Sequence, residues 1–266
     1  MNLHALIGPE ILRKRESPIY AAILATIVAI VLIGSLSAAL ISNIAPVWLQ
    51  VLTGLAGGSL LGLSLWFIVN AARTFLIFGE RGAVRIRAGR TLRTIAYTDL
   101  IGLSYVVQVH RSHGLRLGAS ATVTLRSPAR WISISTPYRP AADQTSQPPP
   151  PIERIRDLAS TAIADGMLGH IAAGQNVHWS KSVMLTADAV AATGFFGGTK
   201  SFPIEDVAFG MKFYEDAPID PESTTTHLWL RGTKTVIATL LPGAENYYPG
   251  LMAFQEVQLS KLEQLR

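Results

Sequence analysis

No charged side chain occurs between Glu16 and Arg73. Two apolar stretches, residues 19–41 and 47–72, fill that interval. Each is longer than the ~20 residues a bilayer-spanning helix needs. The apolar core of a cleaved signal peptide is shorter, ~7–15 residues, so the first stretch is expected to be retained. The chain is therefore expected to open with a two-helix transmembrane hairpin. Arg13, Lys14 and Arg15 precede it, and Arg73, Arg81, Arg85, Arg87, Arg90 and Arg93 follow it, whereas the link at residues 42–46 is uncharged. The positive-inside rule then places both termini in the cytoplasm, as a multi-pass protein of the inner (plasma) membrane. Tyr20, Trp48, Trp66 and Phe67 fall at interfacial depth, where amphipathic rings are favoured.

The second stretch carries Gly54, Gly58 and Gly62 at a spacing of four. That spacing lines them on one helix face, where a second backbone can approach closely. The face serves either packing within the hairpin or a homodimer seam. Neither stretch contains Asp, Glu, Lys, Arg or His, which argues against an ion or proton pathway. Residues 3–15 are apolar and then basic, with Pro9 suited to a helix first turn. They read as an interfacial segment or as an unstructured leader.

From Gly82 the hydrophobic period changes to two. Val84 and Ile86 alternate with Arg85 and Arg87; Ala121, Val123 and Leu125 with Thr122 and Thr124; Ile132 and Ile134 with Ser133 and Ser135. Such alternation marks half-buried strands. A polar, proline-rich stretch at 140–151 reads as a spacer. A helix is expected over 152–171, with Ile152, Ile155, Leu158, Ala159, Ala162 and Ile163 on one face. Short apolar strands then recur, and a last helix is expected at about 246–265, with Leu251, Phe254, Val257, Leu262 and Leu265 inward. The two halves can be superposed. Residues 95–100 match 202–207, and 122–126 with 131–135 match 227–231 with 236–240. The organisation expected is 1–16, an N-terminal segment; 17–75, the hairpin; and two β halves, 76–171 and 172–266, as separate barrels or one merged sheet.

Antiparallel strands closed by one helix, with the segments Tyr97-Thr98-Asp99-Leu100-Ile101 and Ile204-Glu205-Asp206-Val207, resemble bacterial pleckstrin-homology-like (PH-like) domains. With two preceding membrane helices, the chain resembles an uncharacterised family of bacterial membrane proteins. The resemblance implies an α+β fold with tandem PH-like halves, each closed by a C-terminal helix. It departs at the polar insertions 109–120, 139–151 and 215–226.

Chemistry-bearing motifs are sparse. Residues 194–201 approach a phosphate-binding loop, but Thr199 replaces the glycine before Lys200 and Pro203 stands where a helix must begin. Gly197-Gly198 reads instead as a hairpin turn. His110 and His113, even with His170 and His178, fall short of a defined ligand set; solvated histidines are expected and no metal. The absence of Cys excludes disulfides and thiolate sites. No nucleophile–base pairing has a supporting context, so a non-catalytic protein without cofactors is expected.

The basic hairpin of Arg85, Arg87, Arg90 and Arg93 is the candidate lipid-binding site, since anionic lipid attracts such residues by ~1 kcal/mol each. The resemblance implies headgroup binding at this first hairpin; topology and solubility account for the same arginines. Nucleic acid is not expected, because the stripe lacks interleaved aromatics. The function expected is a membrane-anchored module binding anionic headgroups or a protein partner. The alternative is a scaffold subunit of a membrane complex, packing through the glycine face. Tyr247, Tyr248, Phe213 and Tyr214 read as interface or core.

Overall fold

Period-two alternation becomes strand, and period-3.6 apolarity becomes helix, through most of the chain. The computed structural model describes residues 3–16, 73–112, 115–138, 149–194, 197–212 and 225–264, and between 17 and 72 only residues 27, 28, 31, 34, 46, 48, 51, 55, 58, 59, 62, 66 and 68–70. A one-turn helix, α1 (Leu3–Ile7), leads into β1 (Glu10–Arg15). β1 forms a four-stranded sheet in chain order with β2 (Thr74–Gly79), β3 (Gly82–Arg87) and β4 (Arg90–Ala96). A 3-10 turn, Tyr97–Asp99, precedes a three-stranded sheet of β5 (Gly102–Ser112), β6 (Leu115–Ser127) and β7 (Arg130–Tyr138), and then α2 (Pro151–Ala172).

The same order then recurs. β8 (Val177–His178), β9 (Val183–Leu185), β10 (Ala189–Thr193) and β11 (Thr199–Pro203) form four strands. The 3-10 turn Ile204–Asp206 follows, then β12 (Val207–Lys212), β13 (Thr225–Leu230), β14 (Val236–Leu240) and α3 (Tyr247–Gln264). The segments matched by sequence occupy equivalent places: 95–100 and 202–207 each carry the 3-10 turn, and both matched strand pairs are antiparallel neighbours. Tyr97 and Ile204, at the same point of each turn, are buried. By compactness the chain divides into residues 1–12, 78–83 and 94–266 as one unit and 13–77 with 84–93 as another.

Three expectations require correction. The membrane hairpin is not found: among the described residues no helix is long and apolar enough to cross a membrane. A span needs an unbroken apolar helix of about 20 residues; the two long helices described, α2 and α3, carry Glu153, Arg154, Arg156, Asp157, Glu256, Lys261 and Glu263. Most of 17–72, including Gly54, lies outside the described residues; Gly58 and Gly62 are helical, and among the described residues none lies within 4 Å of the place a Cβ would take. The inner-membrane location, the integral lipid partner and the membrane-anchored or scaffold functions rested on that hairpin and fall with it. Nothing among the described residues supports the homodimer or protein partner. Secondly, no closed PH-like barrel forms, because the strands separate into four open sheets, with a 3-10 turn after β4 and after β11. Thirdly, the leader is neither unstructured nor simply interfacial. Ile7 is buried, and Arg81 and Glu80 donate backbone N–H groups to the carbonyls of Ile7 and Pro9.

The polar insertion at 109–120 is mostly strand. β5 and β6 pair from Gly102↔Arg126 to Ser112↔Leu115, with a bulge between His110 and Arg111. Leu103, Tyr105, Val123, Leu125, Ile132 and Ile134 share the buried face of this sheet, while Thr124 and Ser133 join hydroxyls at 2.9 Å on the other. Side-chain alternation at period two produces this division.

Both helices bury an apolar stripe. α2 has Pro151 at its start, and Ile152, Ile155, Ala159, Ile163, Met167 and Ile171 are buried. α3 buries Ala253, Phe254 and Val257; Leu251 and Leu262 are only half-buried, and Leu265 is outside the described residues. Trp179 is fully buried, stacks on Phe254 at 5.6 Å and donates its indole N–H to the Tyr247 carbonyl at 3.1 Å. Gly250 lets the indole lie against the α3 backbone, since a Cβ there would collide with Trp179. Tyr247 is core, its hydroxyl 2.5 Å from that of buried Thr226; Phe213 and Tyr214 lie outside the described residues. Farther along α3, Gln258 donates to the carbonyls of Ile204 and Val207 at 2.9 and 2.7 Å.

The Arg156 guanidinium lies 5.0 Å from the Tyr105 ring and 4.8 Å from that of Tyr248, which meet edge-on, and so links α2, β5 and α3. Each such cation–π contact contributes about 0.5–2 kcal/mol. Burial opposes the Arg156 charge, but Asp157 and the two tyrosines outweigh it and hold its pKa above the ordinary value.

Gly250→Ala is expected to destabilise the fold by about 1–3 kcal/mol through overpacking. Gly166→Ala, in open space on α2, is expected to stabilise it by about 0.5–1 kcal/mol. Urea unfolding of the two variants measures both.

Burial raises the pKa of Tyr97, Tyr105 and Tyr248, and burial with the Glu153 carboxylate pushes Tyr138 up to about 12. The unfolded chain releases these protons near 10, the folded chain only above it. Their contribution to stability is therefore complete below pH 10 and lost as pH rises through the folded values. The urea midpoint is expected to fall from pH 10 upward, and tyrosinate absorbance to lag behind that of the unfolded chain.

Candidate functional site

The turn after β8 is held by its own polar groups. Trp179 and Ser180 both donate backbone N–H to the Val183 carbonyl, at 2.9 and 3.1 Å, and the Ser182 N–H reaches the Ser180 hydroxyl at 3.3 Å. These bonds leave Lys181 exposed at the tip. The segment joining β14 to α3 is held as closely. Ala244 donates to the Leu241 carbonyl, and Ser104 Oγ donates to the Gly243 carbonyl at 2.9 Å.

Asn246 ties this segment to the edge of β5. Its N–H donates to the Leu103 carbonyl at 2.7 Å, its Oδ1 accepts from the Leu103 N–H at 3.0 Å, and its Nδ2 donates to the Ile101 carbonyl. The side chain thus completes a strand edge that would otherwise leave backbone groups unpaired. Asn246 adopts a φ of 60°, in the left-handed region that asparagine tolerates better than most residues.

Between the Ser180-Lys181-Ser182 turn and residues 241–246 lies an open cleft of about 630 Å³. Trp179, Leu240, Leu241 and Ala244 supply apolar lining; Arg126, His178 and Thr239 add polar groups. Arg126 Nε meets Glu245 Oε1 at 2.6 Å, with the two side chains 52% and 44% exposed. An ion pair this exposed is worth about 0–1 kcal/mol. The Glu245 carboxylate lies over Gly102, whose missing Cβ leaves the space it occupies. With Lys181, the lining has two cations against one carboxylate.

The residues singled out by sequence lie elsewhere. Arg85 and Arg87 sit on β3, Arg90 and Arg93 on β4, joined by a turn with positive φ at Ala88 and Gly89. Arg85 pairs with Glu16 at 2.7 Å, and Arg93 has interactions of its own. Of residues 194–201, Gly194 and Gly198 close the β10–β11 hairpin, the Gly194 N–H donating to the Gly198 carbonyl, Thr199, Lys200 and Ser201 belong to β11, and 195–196 lie outside the described residues. His110 bonds to Ser120 at 3.0 Å and His170 to Gln175 at 2.6 Å; His113 is outside the described residues, and only His178 reaches the cleft. Among the described residues no group of three or more His, Asp or Glu is placed to hold a metal ion. Sequence reasoning missed Arg126, Lys181, Glu245 and Asn246. Only Asn246, at the start of the last expected helix, carried a local signal.

Compared with known proteins, the chain matches no family model, no curated protein and no solved structure. The resemblance to PH-like membrane proteins is therefore not upheld, in agreement with the open sheets.

Asn246→Ala leaves the Leu103 N–H unpaired and places alanine at positive φ. It is expected to cost about 1–3 kcal/mol, and amide exchange at Leu103 is expected to accelerate.

Proposed function

We propose that the protein is a non-catalytic binding module for a small molecule, and that the ligand lies in the cleft between the Ser180-Lys181-Ser182 turn and residues 241–246. The cleft itself carries this reading: about 630 Å³ of open volume, within the ~300–1,000 Å³ common for small-molecule sites. Its lining has the composition such sites use, an apolar floor with a few polar groups that orient the ligand. Its walls are preorganised. Trp179 is locked in the core, and both bordering segments are fixed by hydrogen bonds, so little ordering opposes binding. Binding rather than catalysis is favoured because His178 makes no hydrogen bond to Ser180 or Ser182 that would pair a base with a nucleophile.

A fragment screen of the full-length chain by ¹H–¹⁵N correlation spectra tests the reading. Hits are expected to shift amides of residues 178–182 and 239–246. Thr239→Phe, which fills the cleft from an exposed strand position, is expected to weaken those hits at least about tenfold (~1.4 kcal/mol). Hits that map elsewhere and ignore Thr239→Phe would overturn it.

A further inference from the structure

We propose that the cleft selects amphiphilic anions, a carboxylate or phosphate group on an apolar body, and that Glu245 occupies Arg126 until such an anion displaces it. This inference rests on the cleft being the binding site and adds the class of ligand.

Four observations converge on it. Arg126 and Lys181 outnumber Glu245 among the charged lining residues, so the cleft is cationic on balance. Lys181 is exposed at its turn and forms no ion pair with Glu245. Ser180 and Ser182 line the same space, and a serine hydroxyl can donate to an oxyanion. Leu241 and Ala244 offer apolar surface over the buried Trp179 and Leu240, and Leu241 is 58% exposed. A ligand that satisfies both sets of groups carries an anion at one end and hydrocarbon at the other.

The Arg126–Glu245 pair makes exchange inexpensive. Both partners are about half exposed and joined through one guanidinium nitrogen at 2.6 Å, so little stability is lost when Glu245 turns to solvent. The guanidinium is then free for a charge-assisted bond to the incoming oxyanion, stronger than a neutral hydrogen bond. Glu245 thus acts as an internal competitor that sets affinity, and Arg126 as the anchor.

The test uses the full-length chain and three probes: 4-phenylbutyrate, phenyl phosphate and the neutral 4-phenylbutan-1-ol. Calorimetry gives affinity, and amide shifts give location. At least one anion is expected to bind in the cleft about tenfold or more tighter than the alcohol (~1.4 kcal/mol); whichever anion binds tighter identifies the oxyanion. Arg126→Gln is expected to remove that advantage and leave alcohol binding unchanged. Glu245→Gln is expected to tighten anion binding several-fold, and Arg126→Lys to retain part of it. Unchanged amide spectra away from the cleft confirm that the variants fold. Equal binding of alcohol and anions at the cleft, or anion binding indifferent to Arg126→Gln, overturns the anion inference while leaving the cleft as a site. No cleft shift with any probe overturns both.

Discussion

The close approach of the Trp179 indole to the α3 backbone at Gly250 is the constraint on which the rest of the second series depends. One side chain meets several requirements at once. It fills the core against Phe254, satisfies the Tyr247 carbonyl, and fixes the turn that follows β8. With α3 held at its start, Gln258 reaches the carbonyls of Ile204, which opens the second 3-10 turn, and of Val207, which follows it. Large buried aromatics with one polar atom work this way: apolar area holds the element, and one hydrogen bond sets its register. The cleft inherits its rigidity from this arrangement, because Trp179 is both core and cleft lining.

How much of this could be read from the chain depends on how local each cause is. The helix expected over 152–171 forms at Pro151–Ala172, because its apolar period and its initiating proline are local. The matched strand pairs and the Gly197-Gly198 turn were legible for the same reason. β1 was not, since its partner strand is separated from it by the whole apolar interval. The charge-free run from Glu16 to Arg73 reports composition alone; a membrane span further requires one long unbroken helix, and none is found among the described residues. The cleft was illegible because Arg126 and Glu245 are far apart in sequence and meet only through tertiary packing.

The open sheets explain why a pattern resembling a closed barrel misleads. Alternation at period two reports that one face is buried, not what buries it. Here α2 packs on β5 and β6 and α3 reaches β5, and α2 and α3 are joined through the Arg156 guanidinium and the tyrosines beneath it. Two meanders of four and three strands give the same alternation whether or not their edges join. The 3-10 turns at Tyr97–Asp99 and Ile204–Asp206 are where the chain leaves one sheet for the next.

A repeated scaffold has its site where the repetition breaks. The two series share strand order and 3-10 turns, yet their helices begin differently. α2 begins behind Pro150, which provides no side-chain cap, whereas α3 begins behind Asn246, whose side chain reaches the edge of β5 in the first series. That difference draws residues 241–246 across the first three-stranded sheet and brings Glu245 to Arg126 at the end of β6. Gly102 permits the approach, since a side chain there would hold the carboxylate away. The cleft and its exchangeable ion pair thus follow from one departure in an otherwise duplicated order, and a second cleft of this kind does not follow from the repeat.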